Sequence, residues 1–401
     1  MAEQSYKYAV VGGGLAGAMA IAGIRDLDQE GSLLLVGSER YLPYDRPPLT
    51  KKLWFGKKRV EDIFIHPDEF YDRNQVTRYL ETQVTAIDAG NKTITDSRGH
   101  TFHCDKLLLA TGGVPRRLGI PGGDLQGVCY YRYLDDYRRT REQAQPGARA
   151  VVIGGGFIGS EISAALNLNQ VQVSMVFPEP YLVPRVFPEG LGRALQQHYQ
   201  ERGVRILAED VPAAFEKRGE TFITHTRSGQ ELESEMLIVG VGINPALELA
   251  QDAGLATGNG IMVNEYLQTS HPDIYAAGDN ALFPYLALGQ QTRVEHWDNA
   301  LNQGKYAGRN MAGAHERYDY LPYFFSDLFE FGYEAVGDVN AKLETVAQWQ
   351  VENKKGVIYY LQDHRVRGAM MCDVWEQVEA ARELIRSGVE VTPEELKSTI
   401  G

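Results

Sequence analysis

Short unbroken apolar runs and stretches of helical period follow one another along this chain, and their order predicts an α/β fold. Residues 6–11 form the first apolar run, 15–25 carry the helical pattern, Gly31 punctuates, and 32–36 (Ser-Leu-Leu-Leu-Val) form a second run. That succession is a strand–helix–strand unit of about thirty residues. It returns further on, with a run at 150–153, a helical stretch from Phe157 and a run at 171–176. Between the two units, residues 76–105 alternate as short strands do, with a hairpin near Gly90-Asn91. Residues 106–110 form an apolar strand ending at Thr111-Gly112-Gly113, and residues 115–121 read as a linker. Runs at 204–207 and 237–241 extend the second unit, which Gly242-Ile243-Asn244-Pro245 closes. Ile274-Tyr275-Ala276-Ala277-Gly278-Asp279 is again a strand entering a glycine turn with an acid. From about Pro322 the pattern changes to alternating strands (346–351 and 356–361) and a last helix at 374–386, which predicts a small α+β C-terminal domain.

The turn of each strand–helix–strand unit is Gly-x-Gly-x-x-Gly. Gly12, Gly14 and Gly17 make the first, and Gly154, Gly156 and Gly159 the second. Each turn is followed some twenty residues later by an acid, Glu39 and Glu179. Such a unit binds a dinucleotide: the glycines admit the pyrophosphate, the helix N-terminus stabilises its charge, and the acid receives ribose hydroxyls. Two copies predict two Rossmann-like domains and two dinucleotides, economically a flavin and a nicotinamide. A carboxylate accepts from a free 2′-hydroxyl and repels a 2′-phosphate. No Arg or Lys occurs between Val171 and Val183, so Glu179 predicts NADH over NADPH.

The 401 residues suffice for two or three domains. A net charge of −13 argues against nucleic acid or an anionic membrane as a general partner. Two basic clusters stand against that background: Lys51, Lys52, Lys57, Lys58 and Arg59, and Arg132, Arg138, Arg139 and Arg141. They read either as solvated surface or as local docking patches. No apolar run is long enough to span a bilayer, and the N-terminus has no charged and apolar leader, which together predict a cytoplasmic protein. Three separated cysteines, Cys104, Cys129 and Cys372, offer no disulfide framework, and the nine histidines show no metal-ligand spacing. Pro43, Pro47 and Pro48 make residues 41–51 an ordered, irregular loop.

These motifs give the chain a resemblance to the pyridine nucleotide–flavin oxidoreductases with two dinucleotide-binding domains. Within them it is similar to the branch holding ferredoxin, rubredoxin and putidaredoxin reductases and apoptosis-inducing factor. The resemblance rests on both glycine turns, Ala110-Thr111-Gly112, Tyr275-Ala276-Ala277-Gly278-Asp279, and the run Pro43 to Lys51 (Pro-Tyr-Asp-Arg-Pro-Pro-Leu-Thr-Lys). It extends to Val294-Glu295-His296-Trp297-Asp298-Asn299-Ala300 and to Phe325-Ser326-Asp327 with Gly332 to Gly337. It implies a discontinuous FAD domain (1–115 and 246–321), an inserted NAD domain (116–245) and a C-terminal interface domain (322–401).

It also implies roles. Gly12, Gly14, Gly17, Glu39, Arg46, Lys51, Thr111, Gly112, Asp279, Glu295, His296 and Trp297 belong to the FAD side, with Phe325 a wall over the flavin or an electron exit. Gly154, Gly156, Phe157, Gly159, Glu179 and Gly242 belong to the NAD side. Glu161 matches a glutamate that contacts the nicotinamide carboxamide and pairs with the lysine matched by Lys51 near flavin N5. A first-turn glutamate that merely complements its helix dipole is the plainer alternative. The loop 41–45, where relatives that relay electrons through sulfur carry cysteine, has none, so electrons must leave the flavin directly. The resemblance therefore implies an NADH-dependent flavoprotein reductase that serves a small acidic carrier, a ferredoxin or rubredoxin. An NADH oxidase or quinone reductase like apoptosis-inducing factor, and a redox-responsive binding protein, are the alternatives, with the chain a monomer or homodimer.

Overall fold

The computed structural model describes residues 4–397, 399 and 400. Met1, Ala2, Glu3, Ser398 and Gly401 lie outside the described residues. The chain divides into two units. The first comprises Met1–Asp45, Val60–Val114 and Asn244–Pro322; the second comprises Arg46–Arg59, Pro115–Ile243 and Tyr323–Gly401.

The first unit is built on a seven-stranded sheet. Its strands run in the order Val76–Tyr79, Leu33–Val36, Gln4–Val11, Thr101–Leu109, Thr93–Asp96, Val84–Asp88. Gln4–Val11 lies parallel to both neighbours, with Val10 opposite Leu35 and Leu108. Its last four residues and all of Leu33–Val36 are buried, as a parallel sheet covered on both faces requires. On the edge away from Gln4–Val11, Thr101–Leu109 serves two partners. Its first half pairs antiparallel with Thr93–Asp96, and its last three residues pair parallel with Ile274–Ala276. The hairpin near Gly90 forms between Val84–Asp88 and Thr93–Asp96. The helix Leu15–Arg25 packs on the helix Trp297–Met311 at van der Waals limits. A Cβ at Gly304 would meet Ala16 O at 2.3 Å, and one at Gly308 would meet Ala20 O at 2.1 Å.

The second unit contains a five-stranded sheet ordered Arg205–Ala208, Gln172–Phe177, Arg149–Ile153, Met236–Val239, Cys129–Tyr130, parallel throughout. Tyr130, Val151, Ile153, Val176, Leu237 and Val239 pack there with Phe215, Phe222 and Leu232 of a three-stranded antiparallel sheet. The C-terminal part of the unit is a five-stranded antiparallel sheet ordered Tyr323–Leu328, Phe331–Gly337, Arg365–Cys372, Lys355–Gln362, Glu344–Val351. The helix Val378–Ser387 packs on it. That helix begins four residues later than the apolar pattern suggests. Asp373 and Glu376 take positive φ (47° and 63°), a conformation that cannot continue a right-handed helix.

The proline-rich segment is also more regular than a loop: Pro47–Thr50 is a 3₁₀ turn. Arg46–Arg59 groups with the second unit because its apolar side is buried there. Trp54 packs edge-on against Tyr137 at 5.6 Å, while Tyr131 and Tyr137 donate their hydroxyls to Leu49 O and Leu53 O.

Candidate functional site

The two glycine turns repeat one geometry. Gly12 sits at φ 127°, and a Cβ there would stand 2.1 Å from Ala110 O. Gly154 sits at φ 114°, with its Cβ position 2.4 Å from Gly240 O. Both positions need glycine for the sharp exit from the strand. The third glycines need it for close packing, since a Cβ on Gly17 would meet Gly12 O at 2.2 Å and one on Gly159 would meet Gly154 O at 1.9 Å.

The middle glycines are different. Gly14 (φ −103°) and Gly156 (φ −83°) have ordinary backbone conformations, and nothing lies within 4 Å of a Cβ built on either. Neither packing nor strain explains a glycine there, whereas a pyrophosphate approaching the backbone does. Each is also the N-cap of its helix, and neither helix has a side-chain cap or an acid in its first turn. Their N–H groups are left for an anion. Both turns therefore fit a bound dinucleotide.

Around the first turn, Glu39 accepts a 2.6 Å hydrogen bond from the Tyr44 hydroxyl. Thr111 donates to Ala246 O at 3.1 Å, and Gly112 O accepts from the Ala246 amide. Asp279 O accepts from Arg293, whose guanidinium pairs with Glu295 at 2.6 Å. His296 is the N-cap of the helix Trp297–Met311. Desolvation pushes its pKa down to about 4 against the opposing pull of Asp279, so its ring is neutral at physiological pH. Trp297 donates its indole N–H to Asp45 at 2.6 Å. Asn280, which no sequence motif marks, is fully buried, donates to Leu109 O and Thr111 Oγ1, and so fixes the threonine. A polar residue directly after a buried glycine turn was its only signal.

In the second unit, Gly242 takes φ 96° and its carbonyl accepts from the Arg116 amide. Glu179 follows the strand Gln172–Phe177, is half-buried, and has no hydrogen bond to its carboxylate among the described residues. Phe157 packs edge-on against Phe324 at 5.8 Å. Arg46 donates to Arg132 O and lies over the Tyr133 ring.

Glu161 is not a first-turn glutamate. It lies on the buried side of the helix Phe157–Leu168, 7 % exposed, and pairs at 2.9 Å with Lys51, which is 6 % exposed. Its Oε1 also accepts from Ser326 and its Oε2 from Thr50, both at 2.5 Å. Lys51 Nζ stands 4.8 Å from the centre of the Phe325 ring, a cation–π contact. Tyr199 and Tyr333, both fully buried, stay protonated: burial raises their pKa well above the usual range and the Glu161 charge adds to it. A buried ion pair stabilises little by itself and survives when hydrogen bonds satisfy its remaining oxygens. The two hydroxyls do that here. Thr50 and Ser326 both lie inside sequence motifs, but nothing in the sequence assigns either a role.

All three cysteines are buried and unbridged. Burial pushes Cys129 up to about 11, Cys104 up to about 12, and Cys372 further in the same direction. Among the described residues no group of three His, Cys, Asp or Glu could hold a metal, and no helix is long and apolar enough to cross a membrane.

Comparison with known proteins agrees with this geometry. Residues 6–304 match the family model described as pyridine nucleotide-disulphide oxidoreductase, and residues 307–355 match the C-terminal model of apoptosis-inducing factor. The chain is 32 % identical over 398 residues to monodehydroascorbate reductase of Solanum lycopersicum, covering 92 % of each protein. It is 32 % identical over 397 residues to the ferredoxin–NAD(+) reductase component of the anthranilate 1,2-dioxygenase system of Burkholderia cepacia, covering 98 % of each. Its fold is similar to that in the crystal structure of the covalent putidaredoxin reductase–putidaredoxin complex, with a TM-score of 0.91, 30 % identity, and 99 % and 96 % of the two chains covered.

Proposed function

This chain belongs to the pyridine nucleotide-disulphide oxidoreductase family and is an NAD(P)H-dependent flavoprotein reductase using FAD and NAD(H), and on that premise we propose that it reduces a small acidic electron carrier of the ferredoxin or rubredoxin class. When bound, the cofactors supply the redox chemistry: a hydride passes from nicotinamide to flavin, and the flavin then gives up electrons. The first unit is the FAD domain; Gly12, Gly14 and Gly17 admit the pyrophosphate and Glu39 takes the adenosine ribose. The second unit carries NAD on Gly154, Gly156 and Gly159, with the unpartnered Glu179 carboxylate selecting the free 2′-hydroxyl of NADH. Lys51 and Glu161 hold the nicotinamide end in place, and their opposite charges leave no net charge buried when the cofactor is away.

The observation that carries the carrier reading is a group of lysines on the second unit, beside the arginine-bearing helix Leu134–Gln143. Two clusters some eighty residues apart in sequence meet there. Arg141 lies over Trp54, and Tyr137 of the arginine-bearing helix packs on the same Trp54. Lys52 and Lys57 are exposed, and with Lys58 they have no ion-pair partner among the described residues. On a chain of net charge −13 such a patch supports local rather than long-range recognition of an acidic protein. The ferredoxin–NAD(+) reductase and the putidaredoxin complex support the same partner class. A small-molecule reductase is the second reading, favoured by the monodehydroascorbate reductase relatives.

Stopped-flow mixing separates the two. The protein, reduced anaerobically by NADH, is expected to be reoxidised rapidly by a [2Fe–2S] ferredoxin and slowly by oxygen or a quinone. Reversing Lys52, Lys57 and Lys58 to Glu should raise the ferredoxin KM about tenfold and flatten its salt dependence. Rapid reaction with the small acceptors alone, or an unmoved ferredoxin KM, would reject the carrier reading.

A further inference from the structure

We propose that Ser326, together with Thr50, is a positioning residue for the Lys51–Glu161 pair, so that the C-terminal sheet is part of the nicotinamide machinery. The proposal rests on the reading of that pair given above.

Three separate stretches of chain meet at one carboxylate. The 3₁₀ turn Pro47–Thr50 and the residue after it bring Thr50 and Lys51, the helix Phe157–Leu168 brings Glu161, and the edge strand Tyr323–Leu328 brings Ser326. Oε1 receives the ammonium at 2.9 Å and the Ser326 hydroxyl at 2.5 Å, and Oε2 receives the Thr50 hydroxyl at 2.5 Å. Thr50 is 4 % exposed and Ser326 1 % exposed, so no solvent competes for these bonds. The last torsion of a glutamate is broad and nearly two-fold, and an ammonium is a point charge that tolerates many carboxylate orientations. Lys51 alone would therefore leave the carboxylate plane free. Two hydroxyls, one on each oxygen, fix it. Hydroxyl-to-carboxylate bonds are also among the stronger hydrogen bonds in a dry site.

The strand holds the other member as well. Phe325, the neighbour of Ser326, presents its ring to Lys51 Nζ at 4.8 Å. Tyr323–Leu328 thus grips the anion through a hydroxyl and the cation through a ring face. A group that must meet a nicotinamide in one orientation needs such a frame, because misplacement by about 1 Å costs about 10²-fold.

The test uses Ser326→Ala, Ser326→Thr, Glu161→Gln and the Glu161→Gln/Ser326→Ala double variant. Each is checked for flavin content and followed in two ways. Stopped-flow reduction by NADH gives the limiting rate and the apparent Kd. Hydrogen–deuterium exchange of the oxidised, NADH-free protein gives the opening of peptides covering 46–53 and 323–328. Ser326→Ala should lower the limiting rate about tenfold, the size of one lost charge-assisted hydrogen bond, with the Kd changed less than twofold. It should speed exchange in both peptides. Ser326→Thr should restore both, and Ser326→Ala should add nothing in the Glu161→Gln background.

A full further loss in the double variant, or equal behaviour of the Ala and Thr variants, would overturn the proposal. A wild-type rate for Glu161→Gln would sink the reading of the pair instead, and exchange would then decide alone whether Ser326 positions Glu161. Should Ser326→Ala fail to fold, Thr50→Val against Thr50→Ser asks the same question with the other hydroxyl. A loss confined to Val supports the frame, and no difference between Val and Ser overturns it.

Discussion

The helix leaving Gly14 and the helix leaving Gly156 begin alike and then diverge. Both start from an uncapped glycine turn with an open middle position. The first buries small and apolar residues, with a charged side chain only at its last position, Arg25, and closes tightly on Trp297–Met311, backbone against glycine. The second buries Glu161 in its second turn and spends that side on Lys51, Thr50 and Ser326. On the proposed assignment, one helix serves a cofactor that stays, and the other carries a charged group toward the end of a cofactor that comes and goes. The two turns share their geometry, and the structural difference lies in what the helix carries after the turn; the proposed roles, retention in one unit and reaction in the other, stand on that difference.

The largest effect should come from removing that difference. Glu161→Gln leaves a buried ammonium without its counter-charge, and reduction of the flavin by NADH is expected to fall about 10²-fold while flavin content holds. Stopped-flow traces at the flavin absorbance read it directly, and an unchanged single-turnover rate would make Glu161 a structural residue like its counterparts on the first helix.

Smaller effects should separate the two turns by ligand. Alanine at Gly14 or Gly156 meets no atom of the protein and an allowed backbone, so neither variant should lose thermal stability in the cofactor-free form. Gly14→Ala is expected to weaken FAD about tenfold and Gly156→Ala to raise the NADH KM about tenfold with FAD retained, the loss of one close backbone–phosphate contact. If both variants altered the same cofactor, the division of labour between the units would be wrong.

How much of this was legible beforehand follows from the range of each interaction. The glycine turns and parallel strands were readable because strand, turn and helix are contiguous and each glycine has a local reason. The frame around Glu161 was not, since Thr50 lies 111 positions away in sequence and Ser326 lies 165 away. Isolated hydroxyls carry no pattern. Lys51 and Glu161 themselves were found by family resemblance rather than by period or spacing. The helix Leu134–Gln143 was missed because only Leu134, Tyr137 and Thr140 are buried, a stripe too narrow to stand out in so charged a segment. The C-terminal strands Tyr323–Leu328, Phe331–Gly337 and Arg365–Cys372 show no clean apolar–polar alternation in sequence, and only their mutual pairing makes them strands.

Glu179 gives a gentler test of the second turn. Its free carboxylate is expected to give wild type a preference of about 10² for NADH over NADPH in kcat/KM, and Glu179→Gln should reduce it to about tenfold by removing the repulsion while keeping an acceptor. Comparable kcat/KM values for both nucleotides in wild type would count against Glu179 as the ribose acid, and with it against the assignment of NAD to this turn.

The smallest expected effect is none at all, and it concerns what both turns lack. The family takes its name from disulphide chemistry, yet the three thiols here are buried, and Cys129 and Cys104 are held at about 11 and about 12 by desolvation. At pH 8 a thiol of pKa 11 is thiolate in about one molecule in a thousand. Alkylating reagents should therefore leave the folded protein unlabelled, with NADH reduction and carrier reduction unchanged, and all three thiols should react once it is unfolded. Rapid labelling of the native protein accompanied by loss of electron transfer would mean that sulfur takes part after all. The absence of both would leave the flavin as the last redox group before the acceptor, which is the condition under which a protein-docking face, rather than a thiol, decides where the electrons go.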